Sequence, residues 1–285
     1  MARAPSAAAA PDLFATPAKP DRTFHIGIGG WVYAPWRGGN FYPEGLVQRR
    51  ELEFASRQLT AIEINGTYYG AQKPATYAKW RDETPQGFVF SAKAPKRITQ
   101  ARALDKVGAQ VEDFVGGIAE LGDRLGPLVW QFDAGTRLQR APFEAFLDLL
   151  PARAGGRRLR HVLDVRDADF FDAQLLHMVR QRGMATVFSD SDEYPSFADL
   201  SGELVYARLM RARSALPNGY TDADLDRWAK HVRAWADGQD VPALPHLEAP
   251  QAKAAPREVF LFFIAADKER NPAAAMALLQ RLGLR

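Results

Sequence analysis

The chain has no cysteine among its 285 residues and only five histidines. The first absence removes disulfides, thiolate metal sites, thiol nucleophiles and iron–sulfur clusters together. The second leaves little for a multi-histidine metal cage, and no cofactor is indicated. No apolar run approaches the ~20 residues that a membrane-spanning helix needs. Neither charge sign dominates, since 37 Lys and Arg face 34 Asp and Glu, a formal net charge of +3. So small an excess is no electrostatic footprint for nucleic acid, a partner left open but not indicated by charge. A targeting segment is missing too. Residues 1–22, MARAPSAAAAPDLFATPAKPDR, hold few large apolar groups, and Pro11 cuts short the alanine run Ala7–Ala10. They read as a disordered leader on a cytoplasmic protein.

What is present is a core-forming chain, with 47% hydrophobic residues. Short β-branched and aromatic runs recur at His25–Gly29, Ala61–Asn65, Phe88–Lys93, Leu128–Phe132, His161–Arg166, Ala185–Asp190, Leu204–Met210 and Val259–Ala265. Between most of them lie stretches with helical spacing. Phe143, Phe146, Leu147 and Leu150 recur at three and four, as an amphipathic helix requires. Thr221 and Asp224 resemble a capping box, followed by Leu225, Trp228, Val232 and Trp235 on one face. Pro74 and Pro272 suit first helical turns. Eight strands alternating with about seven helices predict parallel βαβ units. Residues 25–285, about 260 in all, approach the ~250 of a (β/α)8 TIM-type barrel. An open doubly wound sheet is the rival. Its glycine-rich first turn would run straight into a helix, whereas Gly27, Gly29 and Gly30 lead into the aromatic loop WVYAPWRGGNFYPEG.

In a barrel, chemistry belongs at the carboxyl ends of the strands. Read in order, those ends hold Trp31 and Tyr33, Glu63 and Asn65, Lys93, Gln131, Asp164 and Arg166, Asp190, then Arg208 and Met210. The three cations Lys93, Arg166 and Arg208 suit a small anionic ligand better than a metal. Mg²⁺ held by Glu63, Asp164 and Asp190 is not indicated beside them. Structural ion pairs also gather at such ends, and pairing around the mouth is the bland alternative. The basic run Arg153–Arg160 precedes the fifth strand, so it reads as a solvated loop on the opposite face. The loop aromatics Trp31, Tyr33, Trp36, Phe41 and Tyr42 either wall the mouth or form a small core of their own.

The stretches IGIGGWVYAPWRGGNFYPEGL, IEINGTYYG, TPQGFVFSAKAPKRIT, LGPLVWQF, LDVRDADFF and ELVYARLM resemble the YecE-like family, domain of unknown function 72. The resemblance spans residues 25–285 and implies a single TIM-type barrel domain, loosely similar to sugar isomerase and abasic-site endonuclease barrels. It implies no established activity. This chain departs from the family pattern at several places. Gln100 stands where His is usual, and Asp133–Ala134 replace the end of a Gln-Leu-Pro-Pro stretch. Asp164 replaces Glu, Met210 replaces His, and Ile264–Ala265 replace an Asn pair.

Two classes of function follow. One is an enzyme on an anionic sugar- or nucleotide-like substrate. Glu63 or Asp164 would be its general base and Lys93 its acid or electrostatic stabiliser. Trp31, Tyr33, Asn65, Gln131, Arg166 and Arg208 would bind the substrate. A carboxylate among cations stays ionised and is a weak base, which leaves Lys93 as the group whose pKa can fall. The other is a barrel with a degenerate site that binds a ligand or partner without turnover, or a nuclease-like DNA-binding protein.

Overall fold

The computed structural model describes residues 23–250, 255–264 and 266–285; the leader expected at 1–22 lies outside the described residues, as does Ala265. Eight parallel strands close into a barrel: β1 (Phe24–Gly29), β2 (Ala61–Ile64), β3 (Val89–Lys93), β4 (Leu125–Phe132), β5 (His161–Val165), β6 (Ala185–Asp190), β7 (Leu204–Leu209) and β8 (Glu258–Phe263). Strand β8 pairs with β1 from Phe24↔Val259 to Ile28↔Phe263, which closes the ring. The open sheet is excluded.

The strands form because their side chains sort by parity. Ala61, Val89, Val129, Val162, Val187, Tyr206, Phe260 and Phe262 pack together in one buried cluster inside the barrel. Their neighbours, such as Ile62, Phe90, Trp130, Leu163 and Leu261, pack outward in a second cluster under the helices. Seven helices of eight or more residues lie among the described residues: α1 (Glu51–Gln58), α2 (Pro74–Glu83), α3 (Gly108–Ile118), α4 (Arg140–Asp148), α5 (Ala173–Gln181), α6 (Asp222–Ala236) and α7 (Asn271–Leu282). Between β6 and β7 the connection is irregular. The capping box opens α6, with Thr221 and Asp224 bonded reciprocally. Leu225, Trp228, Val232 and Trp235 of that helix are all buried.

Strand β4 starts at Leu125, three residues before the sequence reading places it, because Gly126 and Pro127 look like strand breakers. The β3–β4 register shifts between Phe90 and Ala92, and this irregularity accommodates a residue without an N–H. Only glycine fits at 126, where a Cβ would meet Phe90 O at 2.8 Å. The run Arg153–Arg160 forms a small exposed hairpin, Arg153–Ala154 against Arg157–Arg158. Arg158 pairs there with Glu203, as expected of a solvated segment.

The amino end of the barrel is sealed by charge as well as by apolar packing. His25 Nε2 and Arg160 Nη1 each lie 2.9 Å from Glu258 Oε2. The His25 ring stacks on Phe260 at 4.2 Å. Burial would raise the Glu258 carboxyl, but the bond from His25 and the charge of Arg160 hold it at about 2.

Candidate functional site

The same parity carries polar groups inward above the apolar layer. Two residues beyond Ala61 is Glu63, and Ser91 and Lys93 follow Val89 on β3. Gln131 follows Val129, Asp164 and Arg166 follow Val162, and Arg208 follows Tyr206. Five strands thereby deliver ionisable or amide side chains to one mouth.

At the centre lies Arg208, 2% exposed. Its Nε donates to Glu63 Oε2 at 2.9 Å and its Nη1 to Asp164 Oδ2 at 2.5 Å. Burial alone would lower this guanidinium, but the two carboxylates raise it above its ordinary value. Tyr206 Oη reaches across the interior to donate to Glu63 Oε2 at 2.5 Å and lies 2.7 Å from Ser91 Oγ. Burial, then the Glu63 charge, pushes this phenol well above its usual range. Glu63 Oε1 and Arg208 Nη2 are buried without a hydrogen-bond partner among the described residues. Each such atom costs about 1–3 kcal/mol unless something bonds to it. Arg208 is thus a buried tie between two carboxylates, with its Nη2 left over.

Nearer solvent, Arg166 Nη2 lies 3.2 Å from Asp164 Oδ2 and donates to Gln131 Oε1 at 3.1 Å, while its guanidinium stacks 3.8 Å from the Tyr194 ring. Gln131 Nε2 in turn donates to Asp133 Oδ1 at 2.5 Å. Asp133 Oδ2 also accepts from Tyr68 Oη and, at 2.7 Å, from Gln100 Nε2. Burial pushes this carboxyl up, but bonds from Tyr68, Gln131 and Gln100 outweigh that and hold it below its ordinary value. Gln100 and Asp133 are thus bonded to each other.

Lys93 differs from its neighbours. Its Nζ sits 4.3 Å from the centroid of the Tyr68 ring, and among the described residues no hydrogen-bond acceptor or carboxylate partners it. Burial, then the Arg208 charge, lowers its pKa to about 8, against the opposing pull of Glu63 and Asp164. Burial is the larger cause and the neighbouring guanidinium the smaller.

Asn65, two residues beyond Glu63, stays at this end: a Cβ on Gly29, the register partner of Glu63, would lie 2.7 Å from Asn65 Nδ2 and 3.4 Å from Ile264, which packs on the inner cluster. The remaining expected residues scatter. Trp31 packs against Trp80 and Phe90 on the helix side. Tyr33 meets Trp36 and lies under Lys268. Trp36 packs with Phe41, Tyr42 and Phe54, and all four join the main core under the helices rather than a core of their own. Asp190 turns outward to Arg211 at 2.9 Å, away from Glu63 and Asp164. Tyr206, Ser91, Tyr68, Asp133 and Tyr194 belong to the mouth but escape a reading of strand ends. Counting two residues back from Arg208 and from Lys93 would have found the first two.

Among the described residues no three His, Cys, Asp or Glu side chains are placed to hold a metal ion. His25 lies at the amino end, and His161 bonds to Trp130 Nε1 at 3.0 Å on the outer face. No helix among them is long and apolar enough to cross a membrane.

Comparison with known proteins places this geometry in a family. A family model described as "Protein of unknown function DUF72" matches residues 25–285. The UPF0759 protein YecE of Escherichia coli strain K12 is 28% identical over 173 residues, 59% of this chain and 59% of that protein; its O157:H7 counterpart matches equally. The matched stretch thus spans less than two thirds of these relatives. Among solved structures, a DUF72 family protein of Thermotoga maritima superposes with a TM-score of 0.69 at 16% identity, covering 92% of this chain and 100% of that one. One from Enterococcus faecalis gives 0.66 at 12% identity, covering 92% and 96%. These two likenesses speak to the fold, a closed barrel of the same kind, and with the match over residues 25–285 the chain belongs to the DUF72 family.

Proposed function

We propose that the mouth of the barrel is the active site of an enzyme acting on a small anionic, sugar- or nucleotide-like substrate. The observation that carries this reading is the unpartnered ammonium of Lys93, set among guanidiniums already held by carboxylates. A cation without a counterion at a strand's carboxyl end is available to a ligand. With its pKa at about 8, it can both attract an anion and exchange a proton near neutral pH. Arg166, the less buried guanidinium, is the second anion contact, and Gln131 orients it. Arg208, Tyr206 and Ser91 position Glu63. Of the two candidate bases, Glu63 keeps one oxygen unpartnered, so it takes that role before Asp164. Glu63 and Asp164 are both held by Arg208, and this favours a second reading in which the barrel binds its ligand without turnover.

Sulfate is the first probe because its charge is constant above neutrality. Its affinity, measured by calorimetry, is expected to fall as pH rises through about 8 and the ammonium is lost. Lys93→Met should bind more weakly and without that pH dependence. Equal affinity of both proteins across this range would remove Lys93 from the site. Incubation with phosphorylated sugars and nucleotides, followed by phosphorus NMR, separates the readings, because a ligand that binds and is never altered supports the binder.

A further inference from the structure

Beside the mouth lies a cavity of about 510 Å³, within the ~300–1,000 Å³ of small-molecule sites. It is bounded by the segment from Thr99 to Leu104 and by the loop from Asp133 to Pro142. Gln100 and Asp133 line it, and both are bonded to Tyr68 Oη, so cavity and mouth share a wall. Two arginines, Arg102 and Arg137, also line it. Both are exposed, and neither has an ion-pair or hydrogen-bond partner among the described residues. Thr99 lines the cavity as well; it is 1% exposed, and its buried Oγ1 has no partner. The one carboxylate of the lining, Asp133, is turned to Tyr68, Gln100 and Gln131.

We infer that this cavity is a second anion subsite, taking the far phosphate-like group of a substrate that carries one such group at each end of a sugar-sized skeleton. The inference rests on the reading of Lys93 as the anion contact of the mouth. Two guanidiniums without counterions suit a dianion, which can accept their donors in pairs, and the Thr99 hydroxyl adds a buried donor. The Tyr68 ring and the Asp133 carboxylate stand between the subsite and Lys93. With a ring and a carboxylate between them, the two contacts suit groups at opposite ends of one molecule better than adjacent phosphates.

Calorimetric titration with inorganic phosphate, pyrophosphate, glucose 6-phosphate and fructose 1,6-bisphosphate tests this on three proteins. They are wild type, Lys93→Met and Arg102→Ala/Arg137→Ala. Wild type is expected to bind the bisphosphate at least about tenfold more tightly than the monophosphate, as linked contacts do, with no such gain for pyrophosphate. The double variant should lose that margin and keep its monophosphate affinity. Lys93→Met should weaken both sugars. A double variant that keeps the full margin at wild-type affinities overturns the subsite while leaving the mouth intact, provided Lys93→Met still weakens the monophosphate. If Lys93→Met changes nothing, the mouth reading falls. Equal weakening of both sugars in the double variant overturns the two-subsite arrangement, because the cavity would then hold the only anion contact. A margin for pyrophosphate as large as for the bisphosphate overturns the end-to-end geometry.

Discussion

Each end of this barrel holds ionised side chains where strands converge, yet the two ends treat them differently. At the amino end, Glu258 meets the guanidinium of Arg160 and the ring nitrogen of His25, and its side chain is still 44% exposed. At the carboxyl end, Arg208, Glu63 and Asp164 are almost wholly buried, and Lys93 stands beside them over the Tyr68 ring, without a hydrogen-bond or ion-pair partner among the described residues. The first arrangement is a lid in which the carboxylate is answered by its neighbours and still reaches water. The second concentrates desolvated charge around a cation with nothing to bond, and buried ions are weak contributors to stability. A fold seeking stability alone would place the exposed cluster at both ends. The carboxyl end is thus where stability is given up, and such places are where sites are found.

The sharpest way to break this contrast is to remove the tie at the carboxyl end. Arg208→Ala leaves Glu63 and Asp164 buried without their common partner and should cost about 3–5 kcal/mol, read from urea unfolding. Adding Glu63→Gln should recover part of the loss by removing one of the two stranded charges. A loss below about 1 kcal/mol, the range of exposed pairs, would mean that the two ends are equivalent.

Next in size, and opposite in sign, is Lys93→Met. The folded protein holds this proton less tightly than the unfolded chain, since the pKa falls from 10.5 to about 8. The burden on stability is full below about 8 and is relieved as pH rises from there to 10.5. Removing the ammonium should therefore stabilise the protein at pH 7, on the order of 1–2 kcal/mol after allowance for partial exposure. It should also flatten the alkaline rise in stability of the wild type. A destabilised variant would show that Lys93 is held by its surroundings and belongs with the structural ions.

How much of this was legible beforehand depended on parity. The strands could be read because β-branched and aromatic runs alternate with helical stretches, and Glu63, Lys93, Gln131, Asp164, Arg166 and Arg208 reached one network or its edge, with Asn65 beside them over Gly29. Asp190 did not, because it follows the inward Ser189 by one residue and so faces outward. Trp31 failed for another reason. Loop aromatics have no parity, and this ring found Trp80 and Phe90 before it could reach the mouth. Tyr206 was hidden in an apolar run, where a tyrosine reads as core; only the closed barrel brings its hydroxyl across to Glu63. The sharing of Arg208 between two carboxylates, like the bond from Gln100 to Asp133, depends on side-chain geometry that no spacing encodes.

The smallest expected effect is at the amino end, and it sharpens the comparison by its size. The Glu258 carboxyl sits at about 2 against an ordinary 4.5, so its contribution is full above 4.5 and is lost as pH falls towards about 2. With nearly half of that side chain in water, solvent screens most of the gain, and Glu258→Gln should cost only about 0.5–1 kcal/mol at pH 7. Urea unfolding of both proteins at pH 7, 4 and 2 should show the gap between them closing as the wild-type carboxylate is protonated. A gap that stays constant in acid would trace the loss to packing against Arg160 and His25 rather than to charge. A gap as large as that of Arg208→Ala would show the amino end to be as strongly coupled as the mouth. Buried charge would then cease to distinguish the two ends, and the case for the site would rest on the unpartnered Lys93 alone.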